Sequence, residues 1–241
     1  MSLLYETFER GDITEDMLDA AAELFTKNYG IWGSASKLCG KRVTLTAKGI
    51  REQHLPQDGE CWYTRATSHG TLVGNAFICR WNHGGRTICW VTQLVVHKEY
   101  RGRGIASTLL RMSRADSDDM YGIMSSHPYT CVAATTVFGI SIENLSLDFI
   151  REHAATVMKV SPIRYVKEAV LNGSLFHTTS TGLISGADTG FYVDHEEPLN
   201  ALAHLRATSR VWPLEELPDG HEYLVLLPAK LRQISLYQSI N

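Results

Sequence analysis

The sequence predicts a mixed α/β domain, and three observations lead there. Residues 60–97 hold three β-rich runs joined by the short glycine-containing connections Ser68-His69-Gly70 and Asn82-His83-Gly84-Gly85, the signature of hairpins in a meander. Segments with apolar residues at helical spacing lie on either side of that meander. Directly after it, the apolar Leu94-Val95-Val96 runs through a glycine-rich turn into another helical pattern.

The elements follow in order. Met17, Leu18, Ala21, Leu24 and Phe25 make one apolar stripe, with Thr14 as cap, Glu15 and Asp16 in the first turn and Gly30 as stop; this is the first expected element. A second helix is expected over 46–54, ended by Leu55-Pro56. Strands are expected over 60–67, 71–81 and 86–97, then an amphipathic helix over 105–115 carried by Ile105, Leu109, Leu110 and Met112. A short strand at 121–125 leads to a helix with Ser126 or His127 as cap and Pro128 in its first position. Beyond Gly139 the spacing predicts helices over 147–160 and 163–171, separated by Ser161-Pro162. A Gly/Ser/Thr-rich stretch over 173–190 carries weak strand signals. Phe191-Tyr192-Val193 is the expected core of a strand, 198–206 a helix, and 222–227 a last strand before Pro228.

Composition excludes several classes. With 241 residues, 44% hydrophobic and 20% charged, the chain can bury a core and is not of disordered type. Its 23 basic and 26 acidic residues leave a net charge of −3, which argues against a nucleic-acid partner held by overall charge. No apolar run approaches the roughly 18 residues of a membrane span, and MSLLYETFERGDITED lacks a basic-then-apolar signal region. Five scattered cysteines without a CxxC pair suit reduced thiols better than a disulfide scaffold or a zinc site. The expectation is a cytoplasmic protein with no membrane, nucleic-acid or metal partner.

The segment with most chemical content is Arg101-Gly102-Arg103-Gly104-Ile105-Ala106-Ser107. Glycines let successive backbone N–H groups turn inward, and a helix start adds unpaired donors and partial positive charge, so the turn suits a phosphate or pyrophosphate. A P-loop needs Gly-Lys-Ser/Thr and a kinase-type loop needs its lysine and paired acids; neither is present. A dinucleotide fingerprint would lack its third glycine and would follow a meander instead of opening a βαβ unit. The plainer alternative is a tight turn with solvated arginines.

Arg101-x-x-Gly104-x-Ala106 resembles the Arg/Gln-x-x-Gly-x-Gly/Ala motif of the GNAT superfamily of acyl-CoA-dependent N-acyltransferases, and Gly70-Thr71-Leu72-Val73-Gly74 is similar to that family's hairpin strand. The resemblance covers about 60–139, and the long part beyond it is similar to that of some fungal members. It implies a mostly antiparallel central sheet, splayed near its middle, with helices on both faces. In domain terms it implies one unit over 1–241: a core over about 10–139, final strands over about 186–230, and a helical insertion over about 142–172 that would cover the acceptor. It further implies acetyl-CoA as co-substrate and no metal. Leu94, Val95 and Val96 would pair with the pantetheine arm. Gly102, Gly104, Ile105, Ala106 and Ser107 would wrap the pyrophosphate, Arg101 and Arg103 would border it, and Ser126 would lie across the splay. A backbone N–H near Val95 would stabilise the developing oxyanion.

Two family features are missing. The usual glutamate on the strand before the loop would fall at 90–92, which holds no carboxylate, and the usual helix tyrosine would fall at Ala134 or Thr135. His127, with a side chain that titrates near neutrality, and Tyr129 are the catalytic candidates; His127 has a competing role as helix cap. Asp188, Asp194 and His195 flank the expected strand at Phe191, and Cys131 is expected to be buried. The implied reaction is direct acetyl transfer in a ternary complex to the primary amine of a small molecule. A non-catalytic acyl-CoA-binding module, or an acyltransferase with another donor or a hydroxyl acceptor, stays open.

Overall fold

A computed structural model describes residues 2–177, 182–208 and 210–229. Its first element is not a helix but an edge strand, β1 (Leu3–Glu9), overlooked because it is half solvated and carries acidic residues; one of them, Glu6, accepts from Arg65 Nε at 2.9 Å. Helix α1 (Glu15–Asn28) starts as its residues dictate: the Thr14 hydroxyl accepts from the Met17 N–H. Thr46 caps α2 (Ala47–His54) in the same manner. The meander consists of β2 (Glu60–Ser68), β3 (Thr71–His83) and β4 (Arg86–Val96), followed by α3 (Ile105–Met112), β5 (Met120–Ser125) and α4 (Pro128–Phe138). His69 and Gly70 both take positive φ, +50° and +79°, the backbone of a tight two-residue hairpin.

The chain then forms α5 (Leu147–Lys159), α6 (Arg164–Glu168), β6 (Val170–Asn172), β7 (Gly186–Asp188), α7 (Glu196–Ala207) and β8 (His221–Pro228). The described residues form one eight-stranded sheet in the order β1-β2-β3-β4-β5-β8-β7-β6, antiparallel at every pairing except the parallel β4–β5. Residues on alternate positions of β4 divide the helices between faces. Val95 packs with α1 residues Leu24 and Phe25, whereas Leu94 and Val96 pack with α3 residues Ile105 and Leu109.

Three expectations beyond Gly139 need correction. The run 163–171 is one short helix followed by strand β6, so 142–172 is not a purely helical insertion. Ile150, Ala154, Val157 and Val166 from this segment are buried in the principal core, which makes it integral to the fold. Phe191-Tyr192-Val193 is not a sheet strand. It lies against residues 31–33, where Gly33 N–H donates to Tyr192 O and Asp194 N–H to Ile31 O, each at 2.9 Å, and its apolar character is spent on Tyr29 and Trp32. The strand in this region is instead β7, where Gly186 is required: an added Cβ would stand 2.7 Å from the Glu222 carbonyl oxygen. Residues 178–181 of the Gly/Ser/Thr-rich stretch and the end of the expected final segment at 230 lie outside the described residues.

Candidate active site

Strands β4 and β5 are paired only from Ile88 with Met120 to Val91 with Ile123. β5 stays on β8 through Ser125, and β4 stays on β3 through Val96. The two central strands therefore part, leaving open backbone on both sides of a V. The β3–β4 register shows which groups face it. His97 N–H donates to Val73 O at 2.9 Å; two residues back, by the alternation of an antiparallel ladder, Val95 turns both of its backbone groups toward Asn75. The N–H groups open to the splay are those of Leu94 and Val96, not that of Val95 as expected.

The V is the bottom of a cleft of about 1050 Å³. Leu94, Val95, Val96, Arg101, Gly102, Gly104, Ile105, Ala106 and Ser107 line it from one side, Ser126, His127 and Tyr129 from the other. Gly102 and Gly104 have φ of +75° and +76°, and a Cβ added to either meets no atom within 4 Å. Their role is thus a backbone conformation that only glycine adopts at little cost, opening on free space. Gly104 also caps α3, with no side chain satisfying the first turn, so the helix presents bare N–H donors to the cleft. Gly74 has another function: an added Cβ would stand 2.9 Å from Ile105, so its absence lets α3 settle on β3.

The two arginines divide. Arg101 is a clamp: its guanidinium donates to Val96 O (3.1 Å) and Asn28 O (2.8 Å) and pairs with Glu197 of α7. Arg103 is not among the cleft-lining residues. It lies over the Tyr100 ring at 5.1 Å and donates to Glu99 O at 2.8 Å. Glu197 also meets Lys98 at 3.4 Å. Burial works to raise the Glu197 carboxyl, but Arg101 and Lys98 outweigh it and hold the group below its ordinary range.

His127 is the cap of α4: its Nδ1 accepts the Tyr129 N–H at 3.3 Å. Burial lowers its pKa to about 4 against the opposing pull of Glu197, so near neutrality it is uncharged and carries its proton on Nε2, 3.8 Å from Glu197. Tyr129 is 41% exposed at the cleft wall, beside the His127 ring. Cys131 is buried, as expected. Asp194 lines the cleft but is spent on the start of α7, accepting from Glu196 N–H at 2.9 Å. His195 is buried 4.0 Å from Asp219, and Asp188 accepts from Gly190 N–H. Among the described residues no group of three His, Cys, Asp or Glu side chains could hold a metal, and no helix is long and apolar enough to cross a membrane.

Sequence reasoning did not find a polar layer around the inner end of the splay. Where the family glutamate would stand are Trp90, fully buried, and Thr92, whose carbonyl accepts from the Tyr165 hydroxyl at 2.8 Å. His54 Nε2 lies 3.2 Å from the Gln93 amide, and Gln93 Oε1 accepts from Asn75 at 3.3 Å. Burial alone lowers the His54 pKa to about 3. Glu222 on β8 is in a still less usual setting: burial pushes its carboxyl up to about 7, with Thr189 opposing. Its only sequence signal is an acid placed directly before the apolar run Tyr223-Leu224-Val225-Leu226-Leu227.

Residues 57–136 match the family described as acetyltransferase (GNAT) domain, a span that contains β2 to β5, α3 and most of α4. No protein of curated function matches the sequence. Among solved structures, the chain is similar to a tandem GNAT protein from the clavulanic acid biosynthesis pathway, at 15% identity over 51% of this chain and 36% of that one, TM-score 0.37. A GCN5-related glucosamine N-acetyltransferase region in a fungal multi-domain GH3 β-N-acetylglucosaminidase is similar at 15% identity, over 51% of this chain and 13% of that one, TM-score 0.37. The ribosomal-protein-S18-alanine N-acetyltransferase from Escherichia coli is similar at 9% identity, over 97% and 99% of the two chains, TM-score 0.44. The chain thus spans 36% and 13% of the first two proteins' lengths. These are distant likenesses; the family match over 57–136 and the shape of the cleft are what bear on function.

Proposed function

We propose, for a chain that carries a GNAT acetyltransferase domain over residues 57–136, that it transfers an acetyl group from acetyl-CoA directly to the primary amine of a small molecule. The observation that carries this reading is the open splay between β4 and β5, ending on two positive-φ glycines at the bare start of α3. Bound there, acetyl-CoA supplies a thioester carbonyl for attack. The splay-facing N–H groups of Leu94 and Val96 are placed to pair with an extended amide chain as an added strand would, and to donate to a carbonyl oxygen that gains charge. Gly102 through Ser107 offer N–H donors to a diphosphate. Arg101 holds the loop to α1 and β4 and adds positive charge beside it. Helix α7 walls the cleft through Pro198, Asn200, Ala201 and His204, which favours a small acceptor over a folded protein surface. The one domain over 1–241 keeps its core and final strands in this reading; no residue of 142–172 is among those lining the cleft, so that segment supports the sheet and does not cover the acceptor. Holding both reactants in one cleft provides much of the acceleration.

Calorimetric titration of acetyl-CoA into the wild type and Gly104→Trp tests the reading. Micromolar-range binding is expected for the wild type. It should vanish in the variant while circular dichroism shows the fold intact, since the indole fills the free space at Gly104. A folded wild type that binds no acetyl-CoA would overturn the proposal.

A further inference from the structure

Glu222 stands where β8 outruns β5. The ladder pairs Ser125 with Tyr223, so one further step of the register sets Glu222 opposite Ser126, the cleft residue at which the chain leaves β5 for α4. Tyr29, the residue after α1 and another cleft residue, reaches the same place: the Glu222 charge acts on its phenol, and the Ser126 side chain eases that phenol's cost. The Glu222 charge also acts on Tyr165 from α6 and on Cys131 from α4. Burial raises both phenols and the thiol above their ordinary ranges, so all three are neutral near pH 7. The adjacent His221 is engaged elsewhere, with Asn172 and the Asp219 carbonyl.

Among the described residues the one side chain that favours the ionised carboxylate is Thr189, a neutral hydroxyl that also donates to Gly220 O at 3.4 Å. Among the described residues no arginine or lysine pairs with Glu222. An acid withdrawn from solvent that serves only the fold is normally matched by a cation or several donors, as the fully buried Asp118 is matched here by Arg80 at 2.6 and 3.0 Å; Glu222 is half-buried. Glu222 is not itself a lining residue of the cleft, but its neighbours Ser126 and Tyr29 are, beside the open end of β5 where a thioester would lie if the acetyl-CoA reading holds.

We propose that Glu222 is the general base of the reaction and the anchor of a cationic primary amine. The acceptor arrives as R–NH3⁺ and passes one proton to a Glu222 oxygen. The freed lone pair forms the C–N bond at the thioester carbon and the C–S bond breaks. The thiolate takes the second proton lost from nitrogen, and Glu222 returns its own to solvent. A base that titrates near the working pH is effective in this role. This inference rests on the acetyl-transfer reading and supplies the carboxylate absent from β4.

The test measures thiol release from acetyl-CoA by the full chain with a panel of primary amines: spermidine, tyramine, kanamycin and glycine ethyl ester. Wild type, Glu222→Gln and Glu222→Asp are compared from pH 5.5 to 9.5. Expected for Glu222→Gln is unchanged calorimetric binding of acetyl-CoA, kcat lower by roughly 10²–10⁴-fold, and loss of the wild-type acid limb centred near pH 7. Glu222→Asp should restore part of the rate and keep a limb. A structural role would lower rate without removing the limb. Glu222→Gln activity within threefold of wild type, or with the same acid limb, overturns the assignment while leaving acetyl transfer intact. A wild type that binds acetyl-CoA yet acetylates none of the four amines overturns the transfer reading and the base together.

Discussion

Gly122 lies directly beneath Trp90, and a Cβ added there would stand 2.1 Å from the indole ring. Trp90 is fully buried at the strand pair that closes the splay, so neither residue can give way cheaply. Gly122→Ala should destabilise the protein by about 1–3 kcal/mol through overpacking, read as a lower denaturant midpoint at unchanged slope. His54 gives a prediction in pH. Its folded pKa, lowered by burial to about 3, lies below that of the unfolded chain, near 6.5. The unfolded state therefore takes up the proton first, and His54 contributes stability above pH 6.5 that is lost as pH falls toward 3. Replacement by a group that does not titrate removes this dependence. The stability difference between wild type and His54→Gln, measured by urea unfolding, should shift by about 1.4 kcal/mol per pH unit between 6 and 4. Groups common to both proteins cancel. A difference that stays constant across that range would show that His54 is already free to ionise in the fold.

Helix α7 places a carboxylate beside the loop proposed to bind a diphosphate. Glu197 pairs with Arg101 and Lys98 and lies near His127, so α7 is tied to the same cations an incoming phosphate would attract. Removing that negative charge should tighten acetyl-CoA binding. Glu197→Gln is expected to lower Kd by about 3–10-fold at low ionic strength, with the gain fading as salt screens partly exposed charges. Calorimetry at 20 and 300 mM salt measures both; weaker binding would mean that Glu197 serves to position Arg101. Arg101→Ala should act in the other direction and more severely, because it frees the loop from Val96 and Asn28 as well as removing charge. These ties explain why only part of the α7 region was legible. Its helical spacing stood in the sequence, but the partners of Glu197 lie 96 and 99 positions away at Arg101 and Lys98.

On the scale of the molecule, the buried pair Arg80–Asp118 joins β3 to the segment between α3 and β5, with Arg80 also donating to Ser113 O at 2.6 Å. Asp118→Ala leaves a buried guanidinium without its counter-charge and should cost about 3–5 kcal/mol in chemical denaturation. The segment 142–172 belongs to the same structure, since α5 and α6 bury Ile150, Ala154, Val157 and Val166 in the principal core; removing it would unfold the protein, and point substitution at Tyr165 is the way to probe its role. The sequence by itself determined what local chemistry controls. Thr14 as a cap, a cap at Ser126 or His127, the hairpin turns, and the strand, glycine turn and helix of 94–112 depend on neighbours within a few positions, and backbone preference decides them. Strand β1 and the true place of β7 escaped because a half-solvated edge and a glycine strand carry little local pattern. Only the tertiary structure decided where β4 and β5 part, that Leu94 and Val96 face the opening, and that Glu222 stands beside Ser126 and Tyr29. The first two facts and the Ser126 neighbour follow from strand register between segments some 20 to 100 positions apart, and register is fixed by packing across the sheet.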